Sequence, residues 1–201
     1  MNHKLTWYNN IMKKLILASN SPTRKKILSE TGISFEIIPS DYEEDMSLVL
    51  SPQELAMHLS RGKAESIANT DIQGVIIGAD TFVVYKDEVL GKPCTADRAK
   101  EMLNMLSGKK HIVITGFTII DKEKNKIVSK VVETGVYFRN LSDNEIDEYI
   151  VTGEPLNKAG AYGILENGWK FIEKIEGSKS NIAGLPIEEV TEVLKNFEVL
   201  I

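Results

Sequence analysis

Three consecutive stretches decide the fold class: HIVITGFTII (His111–Ile120), DKEKNK (Asp121–Lys126) and IVSKVVETGVYF (Ile127–Phe138). The outer two are rich in β-branched and aromatic residues, which suit a pleated, half-buried surface. The short charged stretch between them reads as a hairpin loop, so the two runs are antiparallel neighbours. Working outward, the runs on either side alternate with helix signals. Leu15–Ala18 reads as a short buried strand. Ser21-Pro22 follows as N-cap and first residue of a helix that runs through Ile27 and Leu28 to Gly32. Phe35–Ile38 is a second strand. Ser51-Pro52-Gln53-Glu54 is a capping box that opens a helix to about Ala68, with Ala56, Leu59, Ala64 and Ile67 on one face. Val75–Ile77 is a buried strand that Phe82–Tyr85 continues beyond Asp80. Thr95 caps a helix through Met102, Leu103 and Leu106 that ends at Gly108. Ser142 caps another that stops near Gly153, and Glu166-Asn167-Gly168 marks a tight turn. Pro186 starts an amphipathic C-terminal helix through Val190, Val193, Leu194 and Phe197. The expectation is an α/β protein with a mixed sheet flanked by helices. A purely parallel doubly wound sheet is excluded by the hairpin. One domain is expected over residues 12–201, and residues 1–11 read as an N-terminal extension outside the fold.

Composition narrows the function classes. The chain has 201 residues, 42% hydrophobic and 26% charged, with a net charge of -5. An acidic balance disfavours a general nucleic-acid binder. The single cysteine, Cys94, cannot form an internal disulfide, so a disulfide scaffold is excluded. No stretch approaches the ~20 apolar residues of a membrane span, and the apolar run Leu15–Ala18 is too short for a signal peptide. A cytoplasmic protein is expected. His3, His58 and His111 are scattered, which argues against a zinc site, and no GxxxxGK[ST], GxGxxG or HExxH pattern occurs.

Several residues are candidates for chemistry. Ser19-Asn20-Ser21-Pro22-Thr23-Arg24 lies where a strand turns into a helix. The free N–H groups there, the hydroxyls of Ser19 and Ser21 and the fork of Arg24 suit a phosphate; the plainer reading is a capped helix with a surface arginine. Asp80 interrupts the otherwise apolar or small run Val75–Val84. A buried carboxylate needs a cation or a cleft, so Asp80 is a metal ligand, a general base for water, or one half of a structural pair. Lys63 falls on the apolar stripe between Leu59 and Ile67. It either snorkels to solvent or points its ammonium into a polar cleft. The cluster Asp41-Tyr42-Glu43-Glu44-Asp45 can hold a hard divalent cation or simply be solvated. Lys92, in Leu90-Gly91-Lys92-Pro93, is one more cation after a strand. The turn Lys158–Gly163 either admits a ligand close to backbone or serves close packing.

Taken in order, these motifs resemble the Maf family of nucleoside triphosphate pyrophosphatases. The match runs through Leu15–Pro22, Arg24, Leu28, Glu44, Lys63-Ala64, Gly78-Ala79-Asp80-Thr81 and Leu90–Pro93. It continues through Leu106-Ser107-Gly108, Glu154-Pro155-Leu156, Lys158–Ile164 and Gly184-Leu185-Pro186. The resemblance implies a two-lobed fold of the inosine-triphosphate-pyrophosphatase type with a nucleotide cleft, and frequent homodimers. It implies hydrolysis of a nucleoside triphosphate to the monophosphate and pyrophosphate with a divalent cation such as Mg²⁺, Mn²⁺ or Co²⁺. By position, it makes Asp80 the proton acceptor and Glu44 the metal-side carboxylate. Ser19, Ser21, Arg24, Lys63 and Lys92 become phosphate-side groups. The Ala-Asp-Thr form around Thr81 is similar to the dTTP/UTP branch. Thr23 stands where that branch usually has a second arginine, and Leu165 where it usually has glutamine, so base selectivity is expected to be relaxed or shifted. The branch that favours 7-methyl-GTP matches no better, because Thr81 replaces its usual glutamine. A non-catalytic nucleotide sensor acting on cell division is the alternative expectation.

Overall fold

The computed structural model describes residues 13–45 and 48–199; the expected extension over residues 1–11 lies outside them. The elements are β1 (Leu15–Leu17), α1 (Pro22–Ser29), β2 (Phe35–Ile37), α2 (Pro52–Ala68), β3 (Val75–Tyr85), β4 (Glu88–Leu90) and α3 (Ala96–Leu106). They continue as β5 (Lys110–Asp121), β6 (Lys126–Phe138), α4 (Asp143–Val151), β7 (Ile172–Glu176), α5 (Lys179–Ile182) and α6 (Ile187–Leu194). Short 3₁₀ turns fill much of 154–171.

The helices begin where side chains can satisfy their free N–H groups. Ser21 Oγ accepts from the Arg24 N–H, and Thr95 Oγ1 accepts from the Arg98 N–H. Ser51 with Glu54, and Ser142 with Glu145, form reciprocal capping boxes. The seven strands make one mixed sheet in the order β2-β1-β3-β5-β6-β7, with β4 also paired to β3. β1 runs parallel to β2 and β3, and every later pairing is antiparallel. The β5–β6 hairpin pairs Lys110 with Tyr137 through to Asp121 with Lys126, as its sequence implies.

Side chains alternate across a strand, and β3 shows what that does here. Val75, Ile77 and Ala79 face one core, with Leu15, Leu17, Leu28, Val190 and Phe197. Val83, on the same face further along, belongs to a second core with Leu103, Leu106, Phe138 and Tyr162. Thr81 lies between them. The opposite face, with Ile76 and Phe82, is covered by α2 through Ala64, Ile67, Leu55 and Leu59. Two cores on one face, separated at Thr81, make the molecule two-lobed.

Three short elements have no counterpart in the sequence reading: β4, β7 and α5. β7 reads Ile-Glu-Lys-Ile-Glu, too short and too polar to declare itself. It becomes a strand only by pairing with β6 from Gly135 to Phe138. The C-terminal helix ends at Leu194, and Lys195–Phe197 tightens into a 3₁₀ turn rather than continuing it.

Candidate active site

The site begins with an interruption in the sheet. β1 pairs only with Val75–Ile77 of β3, and the Ala18 N–H extends that ladder to Ile77 O at 2.8 Å. β4 engages β3 only at Val83–Tyr85. Among the described residues, the stretch between, Gly78–Phe82, is paired only on its β5 side. A cleft of about 450 Å³ opens along this unpaired edge. Ligands in α/β sheets favour such places, where strands end and no neighbour fills the gap.

α1 starts at the cleft because β1 stops there. Ser19, Ser21, Thr23 and Arg24 all line it. The Ser19 hydroxyl accepts from the Ser21 N–H at 3.2 Å and from Arg24 Nη1 at 3.3 Å. Arg24 also donates from Nε to the Gly184 carbonyl at 2.7 Å and from Nη2 to Thr81 Oγ1 at 3.1 Å. Thr81 Oγ1 in turn lies 3.0 Å from Thr115 Oγ1, which donates to the Asn181 carbonyl at 3.0 Å. The guanidinium is therefore held flat by three partners, with two N–H bonds left to aim at a ligand. Burial pulls its pKa down, while the charges of Asp80 and Glu44 push it back up. It stays a cation, since arginine does not deprotonate in proteins.

The opposite wall comes from α2. A Cβ on Gly78 would fall 2.4 Å from Ser60 O, and one on Gly116 would fall 2.2 Å from Ala56 O. Two glycines in adjacent strands thus let the backbone of α2 settle onto the sheet. That approach puts Lys63 against Asp80. Lys63 Nζ donates to Asp80 Oδ1 and lies 2.7 Å from Glu44 Oε1. Of the two sequence readings of Lys63, the ammonium points inward, to a pair of carboxylates. Asp80 is buried, at 7% exposure. Burial raises its pKa above the usual carboxylate range, opposed by Lys63 and Arg24 and reinforced by Glu44.

The third wall is the 3₁₀-rich segment after α4. Asn157, Lys158, Tyr162, Leu165 and Glu166 line it. Its organiser is Glu154. One carboxylate oxygen accepts from Tyr149 Oη at 2.6 Å and the Gly168 N–H at 3.2 Å. The other accepts from the Asn167 N–H and side chain, both at 3.0 Å. Lys158 bridges to Glu166 at 2.7 Å across this loop. Behind it, Tyr162 Oη and His111 Nε2 lie 2.9 Å apart in the second core. Burial lowers the His111 pKa to about 4, so the ring is neutral. Glu154 was visible in the sequence only as part of a motif, and Tyr162 only as part of a turn. Ser40, which also lines the cleft, carried no signal there.

Of the ten site candidates, Ser19, Ser21, Thr23, Arg24, Glu44, Lys63, Thr81, Lys92 and Leu165 line the cleft directly. Asp80, buried and bonded to Lys63, is not itself among the lining residues. Lys92 and Leu165 are exposed. Among the described residues no three His, Cys, Asp or Glu side chains gather closely enough to form a metal cage. The acidic run 41–45 contributes one carboxylate, Glu44, to the ion pair with Lys63. Two hard carboxylates near each other fit a cation of the Mg²⁺ type, which takes one or two protein carboxylates and completes its shell with phosphate oxygens and water. No described helix is long and apolar enough to cross a membrane.

Comparison with known proteins places these features in context. A profile described as Maf-like protein matches residues 14–197. A dTTP/UTP pyrophosphatase of Bacillus cereus (strain G9842) is 45% identical over 188 residues, which cover 94% of this chain and 97% of that one. A dTTP/UTP pyrophosphatase of Alkaliphilus oremlandii (strain OhILAs) is 48% identical over 186 residues, covering 92% and 96%. The structure of the Staphylococcus aureus Ham1 protein superposes with a TM-score of 0.53 at 16% identity, covering 92% of this chain and 97% of that one. That last likeness concerns the fold.

Proposed function

The chain belongs to the Maf family, and on that premise we propose that it hydrolyses a nucleoside triphosphate, dTTP or UTP foremost, to the monophosphate and pyrophosphate. The observation that carries this reading is the buried Asp80 carboxylate, held by Lys63 beside a cleft lined with Arg24 and two serines. The chemistry asks for cations to neutralise a polyanionic chain and a base to take a proton from water.

In the proposed reaction, a water oxygen forms a bond to the α-phosphorus while the bond from that phosphorus to the bridging oxygen breaks. Pyrophosphate leaves, and the water's proton passes to Asp80. Burial suits Asp80 to this role by raising its proton affinity, and the Lys63 and Arg24 charges offset part of that rise. Arg24 presents its two free N–H bonds to phosphate oxygens, beside the hydroxyls of Ser19 and Ser21 and the start of α1. Lys92 adds charge on the same cleft. Glu44 and Asp80 are the residues to hold a divalent cation, which when bound neutralises phosphate charge and lowers the pKa of water. Thr23, Thr81 and Leu165 are the positions assigned to base selection, and the site of action is assigned to the cytoplasm.

The test is a turnover panel with Mg²⁺, Mn²⁺ or Co²⁺ against dTTP, UTP, CTP, 7-methyl-GTP, ITP and the common purine triphosphates. Pyrophosphate and orthophosphate are scored separately. Pyrophosphate release from dTTP or UTP supports the reading. Orthophosphate as first product, or tight binding without turnover, would overturn it.

A further inference from the structure

Glu44 stands on a segment without regular secondary structure between β2 and α2, so something else must fix it. The segment is fastened along one stripe of α2, made by His58, Gly62 and Ser66 at four-residue spacing. Ser40 Oγ lies 2.9 Å from Ser66 Oγ, and the Tyr42 N–H donates to Ser40 Oγ at 3.1 Å. Tyr42 Oη lies 3.2 Å from His58 Nε2. The Tyr42 ring occupies the space a side chain at position 62 would need: a Cβ there would fall 2.3 Å from the ring's Cζ. Glycine inside a helix costs about 0.5–1 kcal/mol relative to alanine. Gly62 lies well inside the 17-residue α2, so it opposes the helix and serves the ring. Lys63, the next residue, receives Glu44 at 2.7 Å.

We propose that Tyr42 is a positioning residue, whose ring seated on Gly62 holds the Glu44 carboxylate beside Lys63 and Asp80, and so sets the cation affinity of the site. The proposal rests on Glu44 being the metal-side carboxylate. Tyr42 does not line the cleft, whereas Glu44 does, so its ring acts through the segment it anchors. Its ring supplies the anchor by shape, and its hydroxyl bond to His58 is exposed and secondary.

The full chain carries the test, as Gly62→Ala, Tyr42→Ala, Tyr42→Phe, Glu44→Ala and the double variant Tyr42→Ala/Glu44→Ala. Three quantities are read: the Mn²⁺ concentration for half-maximal pyrophosphate release, amide hydrogen exchange over residues 39–45, and Tm. Gly62→Ala is the decisive variant, because helix propensity and the ring seat predict opposite outcomes. The expected result is an unchanged or raised Tm, faster exchange over 39–45, and a Mn²⁺ requirement raised about 10-fold, the size typical of groups that orient a metal ligand. Tyr42→Ala behaves alike in exchange and Mn²⁺ requirement, and Tyr42→Phe stays near the parent. The double variant is no worse than Glu44→Ala, since Tyr42 has nothing left to position. Multiplying losses in the double variant, or a Gly62→Ala protein with parental exchange and Mn²⁺ requirement, would overturn the proposal. Parental Mn²⁺ dependence in Glu44→Ala would overturn the reading beneath it as well, and that result is separable because it needs neither Tyr42 nor Gly62 to be changed.

Discussion

The two halves of β3 are built from the same strand and meet opposite fates. Val75–Ile77 is flanked by β1 and β5, apolar, and fully buried. Gly78–Phe82 keeps β5 but has no strand partner on its other edge among the described residues, and it carries Asp80 and Thr81. The closed half holds the sheet together. The open half trades a row of ladder bonds for a cleft edge where Asp80 and Glu44 meet Lys63, with Arg24 and Lys92 lining the same cleft. Stability and chemistry are thus separated along a single strand, at the point where pairing with β1 stops. Substitutions in the two halves should report on different things.

The largest effect expected is at Asp80. Asp80→Asn keeps the shape and removes the base, so turnover should fall by about 10²–10⁴-fold in a pyrophosphate assay. Stability should hold or rise, because the native site raises the Asp80 pKa through burial and ionisation there works against folding. The sign for pH follows. A raised folded-state pKa means the native state binds the proton more tightly, so this group's contribution to stability is greatest on the acid side. That contribution fades as pH rises through the folded value. Turnover moves the other way, and its acid limb should lie above the ordinary carboxylate value of 3.8. A variant that loses stability along with activity would erase the distinction between the halves.

Next in size is the closed half. Leu17 is fully buried against that half. Leu17→Ala should cost about 2–5 kcal/mol in denaturant unfolding, with kcat per folded molecule little changed. A loss of kcat at full folding would show that the two halves are coupled.

His111 sharpens the boundary. It sits on β5, where the neighbouring Ile112 pairs with Val84, and supports the cleft wall through Tyr162. Its pKa is lowered to about 4 by burial, from 6.5. A depressed histidine is protonated more readily in the unfolded chain, so stability should fall as pH drops from 6.5 towards 4, by roughly 3 kcal/mol in all. His111→Gln should flatten that acid-side decline in thermal melts taken across the range. An unchanged decline would assign it to other groups.

The smallest effect expected is at the wall of the cleft. Leu165 is 45% exposed there and Thr23 faces it from α1. Thr23→Arg with Leu165→Gln should shift the ratio of kcat/KM between pyrimidine and purine triphosphates by about 10–200-fold, the scale of a few pocket contacts. Tm should not move. An unchanged ratio would release both positions from base selection.

Much of this molecule was legible before its structure. The capping boxes at Ser51 and Ser142, the N-cap at Ser21 and the long hairpin strands are local signals, and each appears where the residues say. Nine of the ten site candidates line one cleft: Ser19 to Arg24 lie where β1 ends and α1 begins, while Lys63 and Thr81 stand inside α2 and β3 and reach it by packing. Other features were illegible for a physical reason. β7 has the composition of a loop and is a strand only because β6 offers it a ladder. Glu154 stands out in the sequence only as part of a motif, and nothing local shows that four donors from Tyr149, Asn167 and Gly168 converge on it.

Lys63 marks the boundary between the two kinds of knowledge. Its place on the apolar stripe of α2 follows from helical periodicity, which the chain carries locally. Its direction does not. The ammonium turns inward because Gly78 and Gly116 let α2 lie close on the sheet, and because Asp80 and Glu44 meet it from elements distant in sequence. Local sequence determined the elements, their ends and the odd carboxylate in an apolar strand, since caps, periodicity and burial act over a few residues. Only the tertiary structure decided that β1 stops short of Asp80 and β4 starts beyond it. That open edge is a matter of register between separate strands, and no residue encodes it alone.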